Sequence, residues 1–340
     1  MINLNEMLDI SNLVKKPEKK ESIQTLDKAL EEIKKANSIV ILTHESADGD
    51  AIGSSMSMKL ILDSLGKKAD IIMSEYSRMY NFLPRIDEIK KESDIKNYDL
   101  AISVDCADIK RLDCREYFEK AKKTIVIDHH GSNQMYGDLN YVNPGSPACC
   151  DVLAGLIKYF DIKISKDLGT CLLTGIITDT GGFRSPSTNA ETFEFTADLI
   201  RIGVNVPDIY KRTLKTKTKT NFELTKRVVN RMEFLEDDKV AFTYITNKDE
   251  EETCAEPGDH EGLVEIGRDI ENIKISIFLR QRDNSDCYKV SMRSVKEINV
   301  SDICLMFGGG GHPQAAGCLV QGNVDEVKNK IMKEVKKWMV

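Results

Sequence analysis

His44, Asp48 and Asp50 fall within seven residues of one another, in His44-Glu45-Ser46-Ala47-Asp48-Gly49-Asp50, and Asp128, His129 and His130 stand side by side farther along. Carboxylates are hard oxygen donors and neutral imidazole is a nitrogen donor, so two such clusters brought together make a site for one or two divalent cations. Capping of a helix by Asp50, just before Ala51, accounts for one carboxylate but leaves His44 and Asp48 without a task. Asp128-His129-His130 is costly to bury unpaired. Three of the five histidines lie in these two segments. Asp105 and Asp179 alone read as turn or capping residues; in this company they are further acids for the same place. A third signal is Gly308-Gly309-Gly310-Gly311-His312-Pro313-Gln314-Ala315-Ala316-Gly317. Glycines in a row free backbone N–H groups to curl around an anion, or let a base or sugar approach closely. A plain hinge is the bland alternative, but His312 and two alanines suggest tight packing beside a ligand.

Apolar runs deliver these groups. Residues 38–43 form a short buried strand that ends at His44, 98–104 one that ends at Asp105, and 124–127 one that ends at Asp128. An open α/β sheet holds its ligands at such strand ends. Helical patterns over 51–65, 113–122, 147–159, 168–178 and 190–202 alternate with these strands and one at 69–72, which argues a parallel sheet with right-handed crossovers. Residues 207–238 read as a basic helical arm without strands. Beyond it, strands at 240–245, 273–279, 288–292 and 316–320 and helices at 259–270, 300–306 and 323–338 predict a smaller α/β domain. The expected division is an N-terminal extension over 1–24, a metal-binding domain over 25–206, the linker over 207–238 and a second domain over 239–340.

With 340 residues, 41% of them hydrophobic, the chain can bury two cores. No apolar run reaches the roughly 20 residues of a membrane helix and no signal-peptide pattern opens the sequence, so a cytoplasmic protein is expected. Nine cysteines without a C-x-x-C pair read as reduced core thiols. A net charge of −7 repels a long polyanion, which speaks against long duplex DNA and for a small phosphorylated substrate. The basic stretch 211–231 reads equally as a solvated face or as the wall of an anionic cleft.

The segments HESADGDAIGSS (44–55), VDCAD (104–108), IDHHGSN (127–133), TDTGGF (178–183) and GGGGHPQAAG (308–317) resemble the DHH phosphoesterases that carry a C-terminal DHHA1 domain. Within them the chain is most similar to the short stand-alone members, oligoribonucleases that degrade nanoRNA and dephosphorylate 3′-phosphoadenosine 5′-phosphate. The resemblance spans about residues 25–338, in the expected motif order. It implies a parallel-sheet DHH domain joined by a helical linker to the smaller DHHA1 domain. It also implies one metal ion held by His44, Asp48 and Asp105 and a second held by Asp50, His129 and Asp179, with Asp105 bridging. Asp105 and His130 would be catalytic, His130 over the scissile phosphate. Gly309, Gly310, Gly311, His312 and Arg293, with Arg184 at the end of the Asp179 segment, would hold the rest of the nucleotide. The oxygen-rich donor set favours Mn²⁺, with Mg²⁺ as the alternative. A short RNA or small nucleotide is the implied partner, and a homodimer is compatible with the sequence. Rival readings are a phosphodiesterase for cyclic or linear dinucleotides and an inactive nucleotide-binding regulator.

Overall fold

Every position of β1 (Ile39–Leu42) is apolar and buried, as a central strand covered on both faces requires. The computed structural model describes residues 20–256, 258–282 and 286–339. The chain divides into two compact units, one ending at Thr216 and the other beginning at Lys217, so the division falls inside the stretch read as an arm. Most of the expected N-terminal extension lies outside the described residues.

In the first unit α1 (Lys20–Lys35) precedes β1, and α2 (Gly49–Ser64), β2 (Ala69–Ile72), β3 (Ile89–Lys90), β4 (Leu100–Val104), α3 (Arg115–Glu119), β5 (Lys123–Asp128) and β6 (Leu139–Val142) follow. Five helical elements complete it: α4 (Cys149–Tyr159), α5 (Lys166–Asp179), α6 (Ala190–Arg201), α7 (Val206–Tyr210) and a π-helical turn, Lys211–Lys215. The six strands make the expected parallel sheet, in the order β3-β2-β1-β4-β5-β6. Ile39 and Ile41 face one layer, with Ile102, Ile127 and helices α2, α4 and α5; Val40 and Leu42 face the other, with Tyr117 and Phe118 of α3. Two edge strands were not anticipated. β3 has only two residues, and β6 carries Asn140, whose side chain bonds to Gly137.

In the second unit α8 (Lys219–Asn230) leads into β7 (Glu233–Leu235), β8 (Val240–Ile245), α9 (Asn247–Thr253), α10 (Leu263–Arg268), β9 (Ile275–Gln281) and β10 (Cys287–Ser294). Then come α11 (Val300–Leu305), β11 (Gly310–His312), β12 (Ala315–Gln321) and α12 (Val324–Val335). The sheet order is β11-β12-β10-β9-β8-β7, with β8 and β9 parallel and the other pairs antiparallel. β7 corrects the expectation of a strandless arm: Phe234 and Leu235 pair across a tight turn with Ala241 and Val240, a hairpin too short to show a period of its own. α9 was also unanticipated. Core residues Phe242, Ile277 and Met292 meet α11 and α12 on one face, while Leu224, Val228, Leu263 and Phe278 form a separate cluster beneath α8 and α10. The glycine run is a hairpin rather than a free loop, because Gly310–His312 pair with Ala315–Gly317. A Cβ at Gly311, whose φ is +143°, would come within 2.5 Å of the Ala315 carbonyl, so only glycine closes this turn. All nine cysteines are free thiols, and among the described residues no helix is long and apolar enough to cross a membrane.

Candidate metal centre

The strand order reverses between β1 and β4, so the crevice at their carboxyl ends is the sheet's switch point. His44 follows β1 and Asp105 follows β4. Asp128 ends the next strand, β5, and brings His129 and His130 with it. Asp48 and Asp50 stand at the start of α2, and Asp179 closes α5, which packs against α2. The two helices approach closely because small residues face each other. A Cβ at Gly175 would lie 2.3 Å from Asp50 Oδ1, and one at Gly53 would lie 2.8 Å from the Cys171 carbonyl.

His44 Nε2 is 3.7 Å from Asp105 Oδ2 and 3.9 Å from Asp48 Oδ1. His129 Nε2 is 3.5 Å from Asp105 Oδ1, 3.6 Å from Asp179 Oδ2 and 3.9 Å from Asp50 Oδ2. Two donor groups therefore lie side by side, His44-Asp48-Asp105 and Asp50-His129-Asp179, and the donor atoms within each are all within 4.8 Å of one another. Asp105 stands between them and turns one oxygen to each histidine. Its backbone is held in the left-handed region, φ +53°, with its N–H donating to the Ile127 carbonyl at 3.1 Å. Asp105 Oδ1 is buried and accepts no hydrogen bond. An orphaned carboxylate oxygen at the meeting point of two imidazoles is costly for a protein alone and natural for a cation ligand. The donor set fits one or two divalent cations.

Outer contacts aim these groups. His44 Nδ1 lies 2.8 Å from the Glu45 carbonyl and His129 Nδ1 lies 3.2 Å from the Ser146 carbonyl, which leaves each Nε2 directed at the acids. Asp48 is the residue that caps α2, accepting from the N–H groups of Asp50 and Ala51 at 3.0 and 3.1 Å. Asp50 instead reaches across to the first turn of α4, where Cys149 and Cys150 N–H donate to its two oxygens at 2.6 and 3.0 Å. The sequence gives no sign of that contact, since the partners are about a hundred residues apart. Asp128 was read only as part of a cluster, yet it works as a holder. Its Oδ1 lies 2.8 Å from His130 Nδ1, and its Oδ2 accepts from Asn133 Nδ2 at 2.6 Å. The Asp just before the two histidines and the Asn three residues after them were the available signals.

Burial and the neighbouring carboxylates push the Asp50 carboxyl far above its ordinary range, and burial raises Asp179 to about 7 against the pull of His129. Burial alone would lower His129, but Asp105, Asp179 and Asp50 outweigh it and raise the imidazole to about 11. The converse holds at Asp105: burial opposes its charge, and the facing histidines 129, 130 and 44 hold it well below the usual carboxylate range. Asp128 likewise raises His130 despite burial. The pocket demands positive charge, and in the absence of a cation protons supply it.

The structure thus brings His44, Asp48, Asp50, Asp105, His129, His130 and Asp179 together. Arg184 lies on the loop after α5, exposed, its Nε donating to the Gly181 carbonyl at 3.1 Å. In the second unit His312 and Arg293 flank Ala315 on one rung of the sheet, so their side chains share a face. Arg293 Nε is 2.9 Å from Glu265 Oε1. Gly310 pairs with Gly317, which pairs with Ser291, making the neighbouring rung of that face nearly devoid of side chains.

Residues 38–176 match the family model for the DHH family, N-terminal domain, and residues 219–340 that for the DHHA1 domain. The bifunctional oligoribonuclease and PAP phosphatase NrnA of Thermus thermophilus is 31% identical over 300 residues, 88% of this chain and 89% of that protein. This chain belongs to the DHH family. Its membership makes it a DHH-family phosphoesterase. Bacillus subtilis NrnA, with the same description, is 25% identical over 84% of this chain and 90% of its own. Among solved structures, an exopolyphosphatase-related protein from Bacteroides fragilis superposes with a TM-score of 0.82 at 27% identity, covering 93% of this chain and 96% of that one. RecJ of Thermus thermophilus, solved in complex with Mn²⁺, shares the fold at 14% identity and a TM-score of 0.55, over 97% of this chain and 56% of RecJ.

Proposed function

We propose that this DHH phosphoesterase hydrolyses short oligoribonucleotides to mononucleotides and converts 3′-phosphoadenosine 5′-phosphate to AMP, at a centre that holds two Mn²⁺ ions. The observation that carries this reading is the pair of donor groups on either side of Asp105, which turns one oxygen to the histidine of each and whose buried Oδ1 has no hydrogen bond. Bound divalent cations supply Lewis acidity toward phosphoryl oxygens and lower the pKa of water. His44, Asp48 and Asp105 would hold one ion, and Asp50, His129 and Asp179 the other. Oxygen donors outnumber imidazoles, which favours Mn²⁺ or Mg²⁺ over zinc. His130 is turned by Asp128, whose carboxylate favours the charged imidazole, so it is equipped to bind a phosphoryl oxygen or give a proton to the leaving oxygen. The face of the second unit that carries Arg293 and His312 beside the glycine rung suits a nucleoside that needs close backbone approach and a few polar contacts. Nine free thiols fit the reducing cytoplasm.

The test is a panel of assays on chelator-stripped protein resupplied with Mn²⁺: RNAs of two to five nucleotides, 3′-phosphoadenosine 5′-phosphate and a cyclic dinucleotide. Release of mononucleotides and AMP, lost on stripping, is the expected result. Turnover of the cyclic compound alone would overturn the assignment.

A further inference from the structure

Two loops of the first unit lead away from residues of the metal centre, and one side chain stands where they meet. The first loop starts beside Asp48: Ala47 forms a parallel bridge with Tyr76, and the chain then makes a short turn, Arg78–Tyr80, ahead of Phe82. The second starts at Asp179. Three residues on, Gly182 lies so close to the next element that a Cβ there would come within 2.6 Å of Tyr210 and 3.1 Å of Leu214. Tyr210 ends α7, and the π-helical turn continues from it, closed by the Thr216 N–H donating to the Lys211 carbonyl at 2.7 Å. Arg212 on that turn joins the two loops. Its guanidinium carbon lies 5.4 Å from the Phe82 ring centroid, and its Nε donates to Asp208 at 2.8 Å.

An exposed i,i+4 ion pair is worth only a few tenths of a kcal/mol, so the Asp208 pair does little for stability. What the ring and the carboxylate accomplish is geometric. They fix the guanidinium plane, while among the described residues Nη1 and Nη2 have no hydrogen-bond partner. Two parallel donors at fixed spacing on a half-exposed arginine are what a phosphate accepts in bidentate fashion. The π-helical turn that presents Arg212 is a rare form, frequent at functional sites. The centre itself is dominated by four aspartates, so a substrate with more than one phosphate needs a fixed cation at its margin.

We propose that Arg212 binds a substrate phosphate one nucleotide removed from the phosphate being hydrolysed. The proposal rests on the phosphoesterase function argued above and narrows its substrate class to nucleotides bearing a second phosphate. Two probes differing by one phosphate test it, the diadenylate ApA and its 5′-phosphorylated form pApA, each measured by equilibrium binding with Ca²⁺ and by turnover with Mn²⁺. In Arg212→Ala the preference for pApA over ApA falls about 10- to 100-fold, the loss appearing in KM rather than kcat. Arg212→Lys keeps the charge without the fork and lies between. An unchanged pApA-to-ApA ratio in Arg212→Ala overturns the proposal. So does an equal weakening of both probes with a lowered melting temperature, which is what a merely stabilising arginine would give. The binding arm is independent of the chemistry: protein that binds pApA without hydrolysing it refutes the hydrolytic function, while the ratio of affinities still decides the role of Arg212.

Discussion

At the scale of single residues, Asp105 bears the most weight because it turns one oxygen to the histidine of each donor group. Asp105→Asn is the informative change, since asparagine tolerates the left-handed backbone that Asp105 adopts and keeps its shape. We expect Mn²⁺-dependent turnover to fall about 100-fold or more with the melting temperature undiminished. A variant retaining a tenth of wild-type activity would remove Asp105 from the centre. The protons that the centre holds without a cation give a second expectation. In the absence of a cation their surroundings raise His129 to about 11, Asp179 to about 7 and Asp50 far above its ordinary range, and all three must be deprotonated to act as ligands. Metal binding therefore releases protons, and affinity rises with pH. Asp179 gives up its proton near pH 7 even without metal, so calorimetry in buffers of different ionisation enthalpy should count more protons released on metal binding at pH 6 than at pH 8. Binding heats that do not depend on the buffer would contradict this.

At the scale of elements, the centre depends on how closely α2 and α5 approach. Gly175 has no room for a methyl group, because its Cβ would meet Asp50 Oδ1 and Cys150 Sγ at 2.3 Å. Gly175→Ala is expected to force the helices apart at a cost of about 1–3 kcal/mol and to displace the Asp50 carboxylate, lowering both thermal stability and Mn²⁺ affinity. Gly155→Ala is the control. It lies within α4, and the nearest atom to its Cβ is 3.9 Å away, so the change should be neutral or slightly stabilising. Equal melting temperatures and metal affinities for the two variants would show that the helix crossing does not position Asp50.

At the scale of the whole molecule, charge sets the range of substrates. A chain of net charge −7 gains little from counterion release along a polyanion, so recognition must rest on the terminal nucleotide or two. The rate per RNA end is expected to fall as length grows from two to roughly ten nucleotides, and duplex DNA is expected to resist cleavage. A length series of 5′-labelled RNAs at fixed salt with Mn²⁺ checks this; a rate that stays flat or rises with length would reveal a phosphate track outside the centre.

The sequence by itself determined the central strands, because β1, β4 and β5 are apolar at nearly every buried position, and it placed the acids and imidazoles at their ends. The five motifs were legible for the same reason: their residues are close in the chain and chemically unusual together. Tertiary structure decided what local pattern cannot encode. β3 and β7 are too short to show a period, and the glycine run became a strand only because β12 offers it a partner. Asp48, rather than Asp50, caps α2, because Asp50 finds two N–H donors on α4 once the fold brings that helix to it. The strand order sets the ends of β1, β4 and β5 side by side, and only then do His44 and His129 face the same carboxylate. Periodicity and turn chemistry act over a few residues, whereas these contacts join groups tens of residues apart, and only packing creates them.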